Sequence, residues 1–270
     1  VPVRVRFDVA YDGTNFAGWA IQPDQRTVAG EITAALEKIF QTEVALTVAG
    51  RTDAGVHATG QVCHADLPAE RWESLKDGLV RRLARLLPTD VRVTAARETT
   101  TDFDARFSAL WRRYEYRVTD DQAGANPLRR LDTLAWPREL DLGLLNAAAV
   151  GLKGEHDFAA FCRRKEMATT IREVTRIEWH RDAEGIFKAT VQADAFCQQM
   201  VRSLVGAMLT VGEGRKPPSW PASLLHATER SSDVLVAGAH GLTLVAVGYP
   251  DEDEFKSRAS ATRNLRTRSS

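Results

Sequence analysis

The chain has 270 residues, 44 % of them apolar and 27 % charged, enough for a sizeable core in one large domain or two ordinary ones. Its 36 basic and 36 acidic residues cancel, which excludes a global field drawing it onto a polyanion. No apolar run approaches the ~20 residues of a membrane span and no secretory pattern opens the chain, so a soluble cytoplasmic protein is expected. Cys63, Cys162 and Cys197 lie far apart without a C-x-x-C pair and read as buried, reduced fillers.

The first element is a strand, because Val3, Val5, Phe7, Val9 and Tyr11 alternate with polar or small neighbours. "DGTN" ends it, and a helix follows from about Thr27 with Val28, Ile32, Leu36, Ile39 and Phe40 at helical spacing. "VALTVA" and "QVCHADL" read as strands on either side of a glycine-rich loop. "AERWESLKDGLVRRLARLL" reads as one helix and "VRVTAARE" as a strand. The order is βαββαβ.

The same layout returns. "WRRYEYRV" places Arg112, Tyr114, Tyr116 and Val118 on one face, and "LDLGLLNAAAVGL" is a helix. "IREVTRIEWH" and "IFKATVQADAF" form a hairpin around "RDAEG". "QQMVRSLVGAMLTVG" is an amphipathic helix, a shorter one lies near "PASLLHA", and "LTLVAVGY" is the last strand. The predicted fold is α+β: two tandem ferredoxin-like, RRM-like halves over 1–104 and 105–250, forming a central mixed, mostly antiparallel sheet with flanking helices and a cleft. Residues 251–270 lack periodicity and read as a disordered tail.

Between the second and third strands stands "GRTDAGVHATGQV", residues 50–62. Asp53 in this polar loop has three uses: capping a turn, ligating a metal with His57 and His64, or serving as a catalytic carboxylate beside the guanidinium of Arg51. The spacing of His57 and His64 across a loop-to-strand junction does not fix them on one ion. Charge is uneven along the chain, residues 106–176 holding 13 basic against 10 acidic residues. A nucleic-acid surface would therefore be local, built from Arg112, Arg129 and Arg130, and Arg163, Arg164 and Lys165.

The loop resembles the signature of the tRNA pseudouridine synthase A family, in which the aspartate of Gly-Arg-Thr-Asp-Ala-Gly-Val-His is catalytic. "YDGTNFAGW", "DFDARFSALWRRYEY", "GEHDFAAF", "FCQQMVRSLVG" and "GLTLVAVGYP" resemble further family segments in family order. The resemblance implies an isomerase that needs no cofactor or metal and converts uridine to pseudouridine at positions 38, 39 and 40 of the tRNA anticodon stem-loop. It also implies a homodimer with tRNA as partner. On the matching positions Asp53 is the nucleophile, Tyr114 packs against the target uracil, and Arg51 and Arg202 lie at the substrate; Arg202, set among Met200, Val201, Leu204 and Val205, either reaches the Asp53 carboxylate or snorkels to the helix edge. Ala20, Ala29, Cys197 and Ser203 depart from the common family residues. Two other readings stand beside this one: a non-catalytic RNA-binding module and a metal-dependent hydrolase.

Overall fold

The computed structural model describes residues 1–163 and 169–263. Among the described residues the chain divides into two compact units: unit 1, Val1–Leu110 together with residues 244–263, and unit 2, Trp111–Thr243. The division differs from the expected one: the cut falls six residues beyond position 104, and the last strand is shared, with residues from Leu244 returning to the first unit. The chain is mixed α+β and its strands pair mostly antiparallel.

In unit 1, β1 (Pro2–Tyr11) leads into α1 (Val28–Phe40), followed by β2 (Thr47–Val48), β3 (His57–Pro68), α2 (Ala69–Leu75), α3 (Leu79–Leu86) and β4 (Val91–Thr99). β1 is central, antiparallel to β3 on one side and to β4 on the other. β2 pairs with β3 over two residues only. Helix α1 starts where the sequence places it, because the Thr27 hydroxyl accepts the Gly30 N–H at 3.2 Å, satisfying one of the helix's orphan donors. The predicted single helix over 69–87 is broken at Lys76–Gly78 by a 3-10 turn, where Gly78 weakens helical continuity.

β3 is buried almost continuously from Gln61 to Ala65, so both sheet faces are covered there. Val5, Phe7 and Val9 of β1 and Cys63 of β3 are buried, and burial raises the Cys63 thiol well above its usual pKa. A second cluster joins Val62 to Ala49, Phe103, Ala105 and Phe255, with Val247 and Tyr249 packed against it. Phe255 belongs to the stretch expected to be disordered. Residues 252–254 form a 3-10 turn and Phe255–Arg263 a helix, while the rest of the expected tail lies outside the described residues. Among its described residues the helix buries two apolar positions, Phe255 and Ala259, one turn apart among charged neighbours. That narrow stripe suffices because Phe255 packs on Phe103 at 5.1 Å between ring centroids and its carbonyl accepts the Ser108 hydroxyl.

In unit 2 the strands run β5 (Trp111–Thr119), β6 (Leu134–Ala135), β7 (Gly154–Asp157), β8 (Ile171–Arg181) and β9 (Phe187–Ala193), in the sheet order β5-β9-β8-β7 with β6 parallel to β5. β8 and β9 form the predicted hairpin. Accompanying them are α4 (Leu142–Val150), α5 (Met200–Gly212) and α6 (Trp220–Ser223); the helix of unit 1 at Phe255–Arg263 is α7. The last strand, β10 (Leu242–Gly248), neighbours β3. α4 is capped by the Asp141 carboxylate, which accepts the Leu144 N–H at 2.8 Å.

The cysteines differ from expectation. Cys162 and Cys197, 35 positions apart, form a disulfide with Cα atoms 5.6 Å apart, and only Cys63 is free. The fold brings them together: Cys162 ends a 3-10 turn and Cys197 precedes α5, and the next residues are tied by Arg163 N–H donating to the Gln198 carbonyl at 2.9 Å.

Candidate active site

The loop from Ala49 to Val56 leaves β2 and enters β3. Its middle is fixed by main-chain bonds: Trp19 N–H donates to the Thr52 carbonyl at 3.0 Å, and Val56 N–H to the Asp53 carbonyl at 3.2 Å. Thr52 is buried, Asp53 is half-buried and Arg51 is exposed. Asp53 therefore stands at the edge of a rigid turn, with the residue before it pinned inside.

Gly18 forms the wall behind this turn. Its φ of +98° suits glycine, and a Cβ there would stand 2.8 Å from the Thr52 carbonyl oxygen and 3.2 Å from the Asp53 carbonyl carbon. The "AGW" of the first strand-turn thus meets the Asp53 loop main chain to main chain.

Below the loop, the Tyr11 hydroxyl lies 2.8 Å from the Thr52 hydroxyl, and Gln61 Nε2 donates to Tyr11 Oη at 3.2 Å and to the Gly50 carbonyl at 2.9 Å. Burial raises the Tyr11 pKa to about 12, with the bonds to Thr52 and Gln61 pulling back, so the phenol keeps its proton at neutral pH. Sequence reading placed none of Tyr11, Thr52 and Gln61 at the site. One signal existed: a glutamine directly before the apolar Val62 and Cys63 in a strand needs partners if it is buried.

His57 and His64 stand at different ends of β3, seven residues or about 20 Å apart at strand rise. The His57 Nδ1 accepts the Gly13 N–H at 2.9 Å, so that nitrogen presents a lone pair and its 3.1 Å approach to Asp12 Oδ1 is no ion pair. His64 Nδ1 accepts the Ala105 N–H at 3.1 Å, and burial, with Arg4 nearby, lowers its pKa to about 4. Both imidazoles thus spend Nδ1 on main chain, and their separation leaves them unable to share an ion with Asp53. Among the described residues no group of three or more His, Cys, Asp and Glu is placed to hold a metal.

Tyr114, Arg112 and Arg202 belong to unit 2. Tyr114 is 7 % exposed and meets Phe196 edge to face at 5.2 Å. Tyr116 is fully buried, as a core tyrosine should be, and donates to the Gly238 carbonyl at 2.7 Å. Burial raises its pKa, with the charge of Arg202 pulling partly back. Arg202 is half-buried on α5 and its Nε donates to the Ala237 carbonyl at 2.7 Å. Gln199, directly before α5, has a φ of +66°, a left-handed conformation unusual for a residue with a side chain, and its Oε1 accepts from Arg230 at 2.8 Å.

Of the basic residues singled out for RNA, Arg112 is buried and donates to the Asp194 carbonyl at 2.7 Å. Arg129 pairs with Asp132 at 3.3 Å and Arg130 donates to the Pro127 carbonyl at 2.7 Å. Arg163 is exposed. Arg164 and Lys165 lie outside the described residues.

The tRNA pseudouridine synthase family matches residues 9–108 and 148–250, and the chain belongs to it. Its reaction class is that of an isomerase forming pseudouridine in tRNA. The chain is similar to tRNA pseudouridine synthase A of Frankia casuarinae, 57 % identical over 98 % of this chain and 96 % of that one. It is 53 % identical to that of Streptomyces griseus, over 98 % and 94 %, and 50 % identical to that of Mycobacterium leprae, over 98 % and 96 %. A solved H/ACA ribonucleoprotein bound to a substrate RNA containing 2′-deoxyuridine aligns at a TM-score of 0.32 and 14 % identity, over 76 % of this chain and 53 % of that one, too remote to bear on the fold. Among the described residues no helix is long and apolar enough to cross a membrane.

Proposed function

We propose that this enzyme modifies uridines 38, 39 and 40 of the tRNA anticodon stem-loop, with Asp53 as its reacting carboxylate. The observation that carries the assignment is the placement of Asp53: a half-buried carboxylate on a turn whose flanking Thr52 and Val56 are buried and hydrogen-bonded, within the segment the family matches. Rigid support on both sides of an accessible acid is what a nucleophile or base needs and a simple turn-former does not.

The reaction breaks the C1′–N1 glycosidic bond, turns the uracil and joins C5 to the ribose, so the base must leave its stack, at a cost of a few kcal/mol. Asp53 acts there on ribose C1′, on base C6, or on a ribose proton. Tyr114 is assigned the face of the uracil, which replaces part of its packing on Phe196. Arg51 and Arg202 are assigned to the substrate. Arg129, Arg130, Arg163, Arg164 and Lys165 are assigned to phosphates, with exposed Arg163 the best supported of the described ones, while Arg112, buried and donating to the Asp194 carbonyl, is withdrawn from that set. The enzyme works without cofactor or metal, as a cytoplasmic homodimer. Use of Nδ1 by both histidines for main-chain bonds supports the metal-free reading. The placing of β1 between β3 and β4, with β2 paired to β3 over two residues, supports reading unit 1 as a ferredoxin-like βαββαβ half.

Release of tritium from tRNA carrying [5-³H]uridine measures the new carbon–carbon bond. Asp53→Asn keeps size and much of the hydrogen bonding, and should abolish release while tRNA affinity persists. Turnover by a correctly folded, undeamidated Asp53→Asn protein overturns the assignment and favours a binding module.

A further inference from the structure

The buried side chains of Tyr11 and Gln61 converge on the segment that precedes Asp53, at Thr52 and Gly50, and the Thr52 side chain is buried with them. Gln61 is wholly buried, Tyr11 is 5 % exposed and Thr52 is 6 % exposed. The Gln61 amide is oriented by its own contacts: Oε1 accepts the Val62 N–H at 3.2 Å, so Nε2 is the end that faces Gly50 and Tyr11. Since Nε2 donates to Tyr11 Oη, the phenolic proton is left for Thr52 Oγ1. The chain of donors therefore runs one way, from Gln61 through Tyr11 to Thr52.

Its two ends grip the same loop. Gln61 holds the Gly50 carbonyl, three residues before Asp53, and Tyr11 holds the side chain of Thr52, the residue adjacent to it. The Trp19 N–H holds the carbonyl of Thr52, the peptide that joins it to Asp53, and the Trp19 ring leans on Tyr11 at 6.1 Å between centroids. The main chain leading into Asp53 can move relative to the β-sheet only if these bonds break, and each broken one leaves a buried polar atom unsatisfied.

We propose that Tyr11, Thr52 and Gln61 are positioning residues for the isomerisation, fixing the Asp53 main chain so that its carboxylate meets the flipped nucleotide in one place. This rests on Asp53 being the reacting group. None of the three touches substrate in this account; they act through the loop. A displacement on the order of 1 Å at a reacting group costs about 100-fold in rate. Loss of the clamp should therefore appear in the chemical step and not in binding.

The test compares Thr52→Val, which keeps shape and removes the hydroxyl, Tyr11→Phe, Gln61→Leu and Thr52→Ser. Single-turnover tritium release at saturating tRNA, tRNA affinity and thermal midpoint are measured for each, below the midpoint of the least stable variant. Thr52→Val and Tyr11→Phe should slow the single-turnover rate about 10- to 100-fold, with affinity within about twofold of the parent. Thr52→Ser should recover most of the rate, because the hydroxyl returns. The double variant Tyr11→Phe, Thr52→Val should be little slower than the worse single one, as expected for links of one chain.

Unchanged rates in Thr52→Val and Tyr11→Phe overturn the proposal, as does a Thr52→Ser protein as slow as Thr52→Val. A lowered thermal midpoint with a normal rate assigns the three residues to stability alone and overturns it too. Asp53→Asn run alongside separates the two readings: if it still turns over, the assignment of Asp53 has failed, and if it is inactive while the clamp variants run normally, only the positioning role has.

Discussion

The two units hold their site residues by different means. In unit 1 the Asp53 loop is gripped by directional bonds from buried polar side chains and by close main-chain approach at Gly18. In unit 2 the segment from Asp194 to Gln199, which carries the Phe196 ring against Tyr114, is held by a covalent bond from Cys197 to Cys162 and by the Arg163 N–H on the Gln198 carbonyl. Hydrogen bonds fix direction as well as distance, which suits the reacting role proposed for Asp53. A cross-link and a ring edge fix proximity with less control of direction, which suits the base-packing role proposed for Tyr114.

The difference predicts different weaknesses. The largest effect is expected from the cross-link: a disulfide closing 35 positions restrains the unfolded chain by about 4 kcal/mol. Cys162→Ser, or reductant on the parent, should lower the denaturant midpoint by a corresponding amount. Identical midpoints with and without reductant would erase the contrast between the units.

A second effect belongs to unit 1 and is set by pH. His64 is buried with its Nδ1 taken by the Ala105 N–H, and its pKa falls to about 4 from an ordinary 6.5. The unfolded chain then binds a proton that the folded one refuses, so stability is fully present above about pH 6.5 and declines as pH drops towards 4, by up to about 3 kcal/mol. Stability curves from pH 7 to 4 should show this slope, and His64→Gln should flatten it.

A smaller effect is expected at the loop's wall. Gly18→Ala adds a methyl against the Thr52 carbonyl in a left-handed conformation, costing about 2 kcal/mol. It should also slow turnover, because the atom displaced belongs to the peptide before Asp53. A variant with parental stability and rate would mean that the loop is softer than its bonds imply.

Much of this architecture was legible in the sequence. β1, α1 and the β8–β9 hairpin announced themselves through apolar stripes of the right period, whereas α5, expected to be amphipathic, is buried at every position but Arg202, because unit 2 packs around it. The Asp53 loop was legible through its motif. What escaped depended on contacts distant in the chain. α7 has too few apolar residues to announce itself and exists because Phe103 receives Phe255. Cys162 and Cys197 carry no spacing signal, and β7 is too short to show a period. The strand expected over 44–49 shrank to Thr47–Val48, since only those two residues find partners on β3. In the loop, Asp53 was readable from its motif, while the roles of Tyr11 and Gln61 were not, because their partners Thr52 and Gly50 lie 41 and 11 positions away in the chain.

The division of the chain sets an order of assembly. Residues 111–243 make unit 2 from one uninterrupted stretch, whereas unit 1 is completed by β10 and α7 from the far side of that stretch. Gly60 of β3 has no room for a Cβ because the Val245 carbonyl of β10 occupies that space, so the strand following the Asp53 loop gains its neighbour only when position 245 exists. At a synthesis rate of ~5–20 residues per second, the ribosome takes on the order of ten seconds to cross the intervening 133 residues. During that interval the nascent chain carries a growing second unit and an unfinished first one, and the apolar face of Val62 and Phe103 awaits its cover. The unit that is begun first is thus the one closed last.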